Sequence, residues 1–439
     1  MRRFLIYSLL FCSCNYIAAQ DSGKPDYRFT LEDCITYAFA NSYTRQSMKL
    51  SEQSTKEVYD LSKYLRYPNL SASLSEGLTH FKTGQITSPS QTNWNGNYGI
   101  SSNVTLYQGG SITNTIKQNK LQADQATIQT QQYDQGLVVQ ILQSFLTVLG
   151  NKELLKYQEA VDTTSEEQLK QGEAKWKAGS IMESDYLLLK AQAATAKSNI
   201  VNTKTMIVNN MIALKNLLSM DPLATLDIVY PNDGEIDALS LLPPQDVALQ
   251  KCLETSPTLK LSQTGIDIAN NGIQLARAGY YPTVSLGGSI GSDHTPNYTN
   301  FGTQLSNNFN QRISLSVSIP IFDNYRTKSQ VSQSKISLLQ AELSKKEQQL
   351  SVSQTLVQEY QNVISFYSQY KANNVSEDAY YKTYLAYKAK FNVGAATVVD
   401  LLQQQNNYLN ALNGFIQSKY GFLLTRKILD VYMGEQIKL

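Results

Sequence analysis

Histidine, cysteine and proline are scarce in this 439-residue chain, and each scarcity excludes something. Two histidines, His80 and His294, are too few for a His-rich metal centre. No Ser-His-Asp, Cys-His or His-Glu-x-x-His arrangement exists, and carboxylates are spread along helix-forming stretches. No glycine-rich loop leads into Lys-Ser/Thr, so nothing binds phosphate in that way. We therefore expect no enzyme, no metal and no cofactor. Basic charge is not in excess either. The two arginines of the first 19 residues leave a balance between the remaining basic residues and the 36 acidic ones. A nucleic-acid partner, which needs a basic surface, is excluded.

Long apolar runs are missing as well. The first 19 residues have a basic start (Arg2, Arg3), the apolar "FLIYSLLF" and a small-residue end at Ala18-Ala19, the pattern of a signal peptide cleaved before Gln20. A lipoprotein signal at Cys14 is the alternative, although "FCSC" lacks the usual small residues after a Leu. No later segment reaches the roughly 18 apolar residues of a membrane helix, which leaves a membrane β-barrel open. After processing only Cys34 and Cys252 remain, both in amphipathic segments. They are expected as small buried hydrophobes, with a disulfide between the halves as the alternative.

What is present comes twice. "EDCITYAFANS" lies over "QDVALQKCLETS", and "LRYPNLSASLSEG" over "AGYYPTVSLGGSIG". Further on, "LYQGG" lies over "IFDNY", and "KWKAGSIMESDYLLLKAQ" over "KFNVGAATVVDLLQQQN". Constant order and spacing mark a duplication: a first repeat over 20–220, a linker over 221–243 and a second repeat over 244–439.

Proline is absent between Pro89 and Pro222 and again after Pro320. Both stretches are rich in Gln, Lys, Leu, Ala and Glu, so each repeat should carry a helical arm of about 105 Å. The arms should turn near Gly179 and Gly394 into returning helices. The alternative is shorter helices broken at "ANNVSED", Gly136 and Gly150.

Four segments alternate with period two: 68–78 and 97–108, then 282–291 and 311–322. In the last, Ile313, Leu315, Val317, Ile319 and Ile321 share one face, and Ser314, Ser316 and Ser318 the other. Small polar residues on the second face suggest a wet lumen. Ser102 interrupts the apolar row of its segment. Aromatics gather at the segment ends, as in the girdles of outer-membrane barrels. The connections 79–96 and 292–309 are expected as polar loops, with His80 and His294 solvated in them.

These motifs together resemble the TolC family of outer-membrane efflux channels. The resemblance rests on "TLEDCITYAFANS", "YPNLSASLS", "YYPTVSLGGS", "PIFDN" and, most specifically, "FNVGAATVVDLLQQQNNYLNA" (391–411). It implies a mainly α fold with a membrane β-barrel part. In a homotrimer, duplicated helical hairpins would form a periplasmic α-barrel, and four strands per chain a shared twelve-stranded barrel in outer-membrane lipid. The implied function is a passive exit duct served by a periplasmic adaptor and an inner-membrane pump. The implied docking tip is Ala178, Gly179 and Ser180 with Val393, Gly394 and Ala395. The implied aperture is Asp400, Gln403 and Asp185, although Ala396 stands where relatives carry an Arg that pairs with the acid at Asp185. The alternative is an adhesive or structural coiled-coil protein on a barrel anchor, without export.

Overall fold

The computed structural model describes residues 26–80, 92–230, 242–295 and 300–435. The signal peptide, Cys14 and the middle of the linker, 231–241, lie outside the described residues. Two helical arms dominate: α3 (Ser111–Lys177) and its counterpart α8 (Arg326–Asn392). Each has 67 residues, about 100 Å at 1.5 Å per residue. They return as α4 (Glu183–Leu217) and α9 (Val398–Tyr432), each of 35 residues. Identical lengths mean that the repeats correspond residue for residue along both hairpins, at a spacing of 215. The preceding helices match at a spacing of 214: α1 (Leu31–Asn41) with α5 (Gln245–Thr255), and α2 (Tyr43–Lys63) with α6 (Pro257–Ala278).

Neither arm breaks where shorter helices were conceivable. In α8, Asn373 of "ANNVSED" donates to the Gly414 carbonyl (3.0 Å) and the Ser418 hydroxyl (3.2 Å) of α9, which fixes a poor helix former inside the helix. In α3, Gly150 packs under the Tyr420 ring. Tertiary contact overrides local propensity at both places.

Strands β2 (Asn69–His80), β3 (Thr92–Gln108), β5 (Thr283–His294) and β6 (Asn310–Ser318) form an antiparallel sheet in the order β2-β3-β5-β6. Ser71, Ser101, Ser289 and Arg312 stand in one row across it, and Ala72, Ile100, Ile290 and Gln311 in the next. Alternate rows therefore carry small polar and apolar residues. On the apolar face Leu70 and Leu74 are each 78% exposed, so no protein core lies over these two side chains.

The strand limits differ from expectation. β2 runs two and β5 three residues further outward, and β3 begins at Thr92 rather than 97. β6 ends at Ser318 rather than 322, because Pro320 offers no N–H to a ladder. The connection 292–309 is not wholly loop, since it contains α7 (Phe301–Asn307). His80 and His294 are strand residues. His294 is only 5% exposed, ringed by Trp94 (5.3 Å), Phe301 (5.1 Å) and Tyr98 (6.0 Å). Gly96 makes this possible: a Cβ there would lie 2.4 Å from the imidazole.

The apolar core lies midway along the arms. Ile141, Leu142, Phe145 and Leu149 of α3 belong to the same cluster as Phe422, Leu423 and Leu429 of α9. Beside it, β1 (Asp26–Phe29) pairs in parallel with β4 (Thr225–Ile228). Cys34 and Cys252 join this cluster as free thiols, so the halves are not bridged. Burial pushes the thiols up, to about 12 and about 11 respectively.

Candidate functional site at the hairpin tips

Each arm ends in the same turn, built from backbone alone. At the first, Gly179 N–H donates to the Trp176 carbonyl (2.8 Å) and Ser180 N–H to Lys175 (2.8 Å). At the second, Gly394 donates to Phe391 (3.1 Å) and Ala395 to Lys390 (2.8 Å). This is the Schellman pattern, which needs a left-handed residue after the helix end. Gly179 has φ +73° and Gly394 +78°. Nothing lies within 4 Å of a Cβ built on either glycine. Conformation alone demands glycine here, not space. Ala178, Ser180, Val393 and Ala395 are exposed around them.

The returning helices start differently. Asp400 is the third residue of α9 and closes a capping box with Thr397: its N–H donates to the Thr397 hydroxyl (3.1 Å). In return its Oδ2 accepts from Thr397 N–H (3.1 Å) and hydroxyl (2.6 Å). These bonds, the hydroxyl's first, hold the exposed carboxyl below its ordinary range. Asp185 occupies the same position in α4, but Met182 stands where Thr397 would be and offers no side-chain cap. Among the described residues Asp185 has no ion pair. Gln403 is exposed one turn beyond Asp400 and donates to Asn407 (3.1 Å). The chain does not bond Asp185, Asp400 and Gln403 to one another.

What joins the two tips is a lysine that the motifs did not single out. Lys175 Nζ donates to the Phe391 carbonyl (2.7 Å) and sits 4.2 Å from the centre of the Phe391 ring. Phe391 itself is fully buried. Farther from the tip, Lys388 of α8 lies 4.0 Å from Glu167 of α3. Gln405 is fully buried and donates to Ser165 (3.0 Å), while Gln168 donates to the Tyr384 hydroxyl (3.2 Å). The seam between the repeats is thus polar near the tips. Its one sequence signal is that Lys175 and Lys390 precede the two turns at matched positions.

No group of three or more His, Cys, Asp or Glu side chains suited to a metal occurs among the described residues. No helix among them is long and apolar enough to cross a membrane. The exposed apolar sheet face is the surface suited to lipid.

Comparison with known proteins agrees with this geometry. The family described as outer membrane efflux protein matches residues 35–219 and 248–435, one segment in each repeat. Outer membrane protein TolC of Escherichia coli is 25% identical over 334 residues, 73% of this chain. The chain spans 65% of that relative's length. Among solved structures, CusC has a TM-score of 0.80 at 16% identity, covering 92% of both chains. The CmeC outer membrane channel of Campylobacter jejuni has a TM-score of 0.77 at 15% identity, covering 92% of this chain and 85% of its own. With both repeats matched, and with the strand region and long arms of those channels, the chain is an outer-membrane protein that belongs to the outer membrane efflux protein family.

Proposed function

We propose that the chain is one third of a passive exit duct, with its sheet in the outer membrane and its helical arms in the periplasm. The observation that carries this reading is the four-stranded sheet with one face bare and apolar at Leu70, Leu74 and Ile313, one Ser/Asn-rich face and two unpaired edges, β2 and β6. Open edges are costly in lipid, and four strands cannot close on themselves. Three chains of four strands give a twelve-stranded barrel, and their arms a tunnel below it. Two repeats, 20–220 and 244–439, joined by 221–243, supply one sixth of the wall each. The chain has no means of its own to energise transport. A periplasmic adaptor and an inner-membrane pump fill that role.

We assign adaptor docking to the exposed turns, Ala178, Gly179 and Ser180 with Val393, Gly394 and Ala395. Asp400, Gln403 and Asp185 line the aperture. Capping and lining are compatible for Asp400, because both Thr397 bonds fall on Oδ2. Three such carboxylates facing one axis attract cations.

Planar-bilayer recording tests the duct. Single-channel steps from a detergent-extracted species of about 150 kDa, three chains of 49.1 kDa, are expected. A non-conducting trimer would support an adhesive anchor instead, and a monodisperse monomer would overturn both. At the aperture, Asp400→Asn keeps an acceptor for Thr397 N–H and removes the charge. Loss of block by divalent cations with an intact trimer is expected. Unchanged block would restrict Asp400 to capping.

A further inference from the structure

The residue-for-residue match of the repeats allows the contacts inside the chain to be projected onto its open edges. Inside, α3 of the first repeat faces α8 and α9 of the second, just as β3 pairs with β5. In a closed ring the same relation recurs between chains: α8 of one faces α3 and α4 of the next, as β6 meets β2. The internal ion pair is Glu167 of α3 with Lys388 of α8. A spacing of 215 maps Glu167 onto Lys382 and Lys388 onto Glu173. The charges reverse, and the projected pair is again attractive.

We propose that Lys382 of one chain pairs with Glu173 of the next. With Glu167–Lys388, this pair specifies that unlike repeats alternate around the ring. The inference rests on the trimeric duct proposed above. Its logic lies in the four signs. The first repeat carries Glu at both positions, 167 and 173, and the second carries Lys at both, 382 and 388. A boundary between unlike repeats joins Glu to Lys, whichever repeat comes first. A boundary between two first repeats would face Glu167 with Glu173, and one between two second repeats Lys382 with Lys388. Such exposed pairs contribute little affinity, but like charges at either wrong boundary reject it.

Both projected partners are available. Among the described residues Glu173 and Lys382 each form an ion pair with an exposed neighbour one turn away on their own helices, Lys177 (2.7 Å) and Asp378 (2.6 Å), and Glu173 also feels the charge of Lys190 on α4. Closer to the tip, Lys175 projects onto Lys390. That side chain is exposed, lies 4.9 Å from the centre of the Tyr387 ring, and points to a role on the open edge. Its projected acceptor is the Trp176 carbonyl, which accepts from Gly179 N–H (2.8 Å) as the Phe391 carbonyl does from Gly394.

Cysteine pairs test the boundary in the full-length, membrane-extracted protein, with a short bis-maleimide as the probe. Glu173→Cys with Lys382→Cys is expected to give covalent dimers and trimers on denaturing gels. Glu167→Cys with Lys388→Cys is expected to link within one chain and leave the mass unchanged. Native mass measured before cross-linking separates the two readings. A trimer in which the 173/382 pair stays monomeric after cross-linking overturns the contact and spares the duct. A native monomer overturns both. Charge reversal tests the code itself. Glu173→Lys alone and Lys382→Glu alone should each lower the trimer fraction several-fold, and the double variant should restore it. Double variants no better than the singles would overturn the pairing.

Discussion

The two repeats have the same backbone and reach it with different chemistry. Where strands hand over to arms, Gly109 and Gly110 adopt φ +57° and +81° in the first repeat. In the second, Asn324 and Tyr325 adopt φ +55° and +60° at the matched positions. Left-handed backbone costs a non-glycine residue about 1–2 kcal/mol. The second repeat offsets this with side chains. Asp323 accepts from Thr327 N–H (2.8 Å), and the Tyr325 ring meets Phe322 edge-on at 5.8 Å. The first repeat lacks that freedom. A Cβ at Gly109 would lie 2.7 Å from both the Ala278 carbonyl and Tyr281 Cβ, because that corner packs against the chain's own second repeat. At this corner it is packing against the second repeat, not the turn conformation alone, that makes Gly109 obligatory while Asn324 is tolerated.

The largest effect expected from this contrast is at that corner. Gly109→Ala combines left-handed strain with an unrelievable backbone clash and should cost several kcal/mol, about 2–4. Asn324→Ala, at the same turn, should cost about 1 kcal/mol or less. Thermal midpoints of the purified variants measure both, and equal losses would contradict the contrast.

Next come the starts of the returning helices. Thr397→Ala removes one half of a capping box and should destabilise the second hairpin by about 1 kcal/mol. Met182→Thr should complete the missing box with Asp185 and stabilise the first by about 0.5–1 kcal/mol. Amide exchange in the first turns of α4 and α9 is the sharpest readout: the two should converge when Met182→Thr is made.

The turn glycines should behave alike, since neither is crowded. Gly179→Ala and Gly394→Ala each introduce only left-handed strain, about 1 kcal/mol. Under the docking proposed above, export lost at one tip while the other tolerates the same change would mean that the two tips contribute unequally.

The smallest effect concerns pH. Thr397 holds the Asp400 carboxyl below its ordinary value of 3.8. A depressed carboxylate adds stability above its unfolded value, and loses it as pH falls through the folded one. The thermal midpoint should therefore drop below about pH 4, and Asp400→Asn should flatten that part of the profile. An unchanged slope would separate the cap from the titration.

The amino-acid pattern alone carried the duplication, the proline-free arms, the alternation of the strands and the turn glycines. Each is a local property: helix propensity, period two and positive φ act over a few residues. The turn glycines of the tips were legible for the same reason, whereas Asp400 was singled out only by the family resemblance. Other features depend on residues distant in sequence. Asn373 holds α8 continuous only because Gly414 of α9 lies beside it. His294 is buried only because Gly96 on the adjacent strand leaves room for its ring. Lys175 joins the tips only because the second arm ends alongside the first. Tertiary structure decided these, because each needs a partner brought from another repeat, strand or helix by packing.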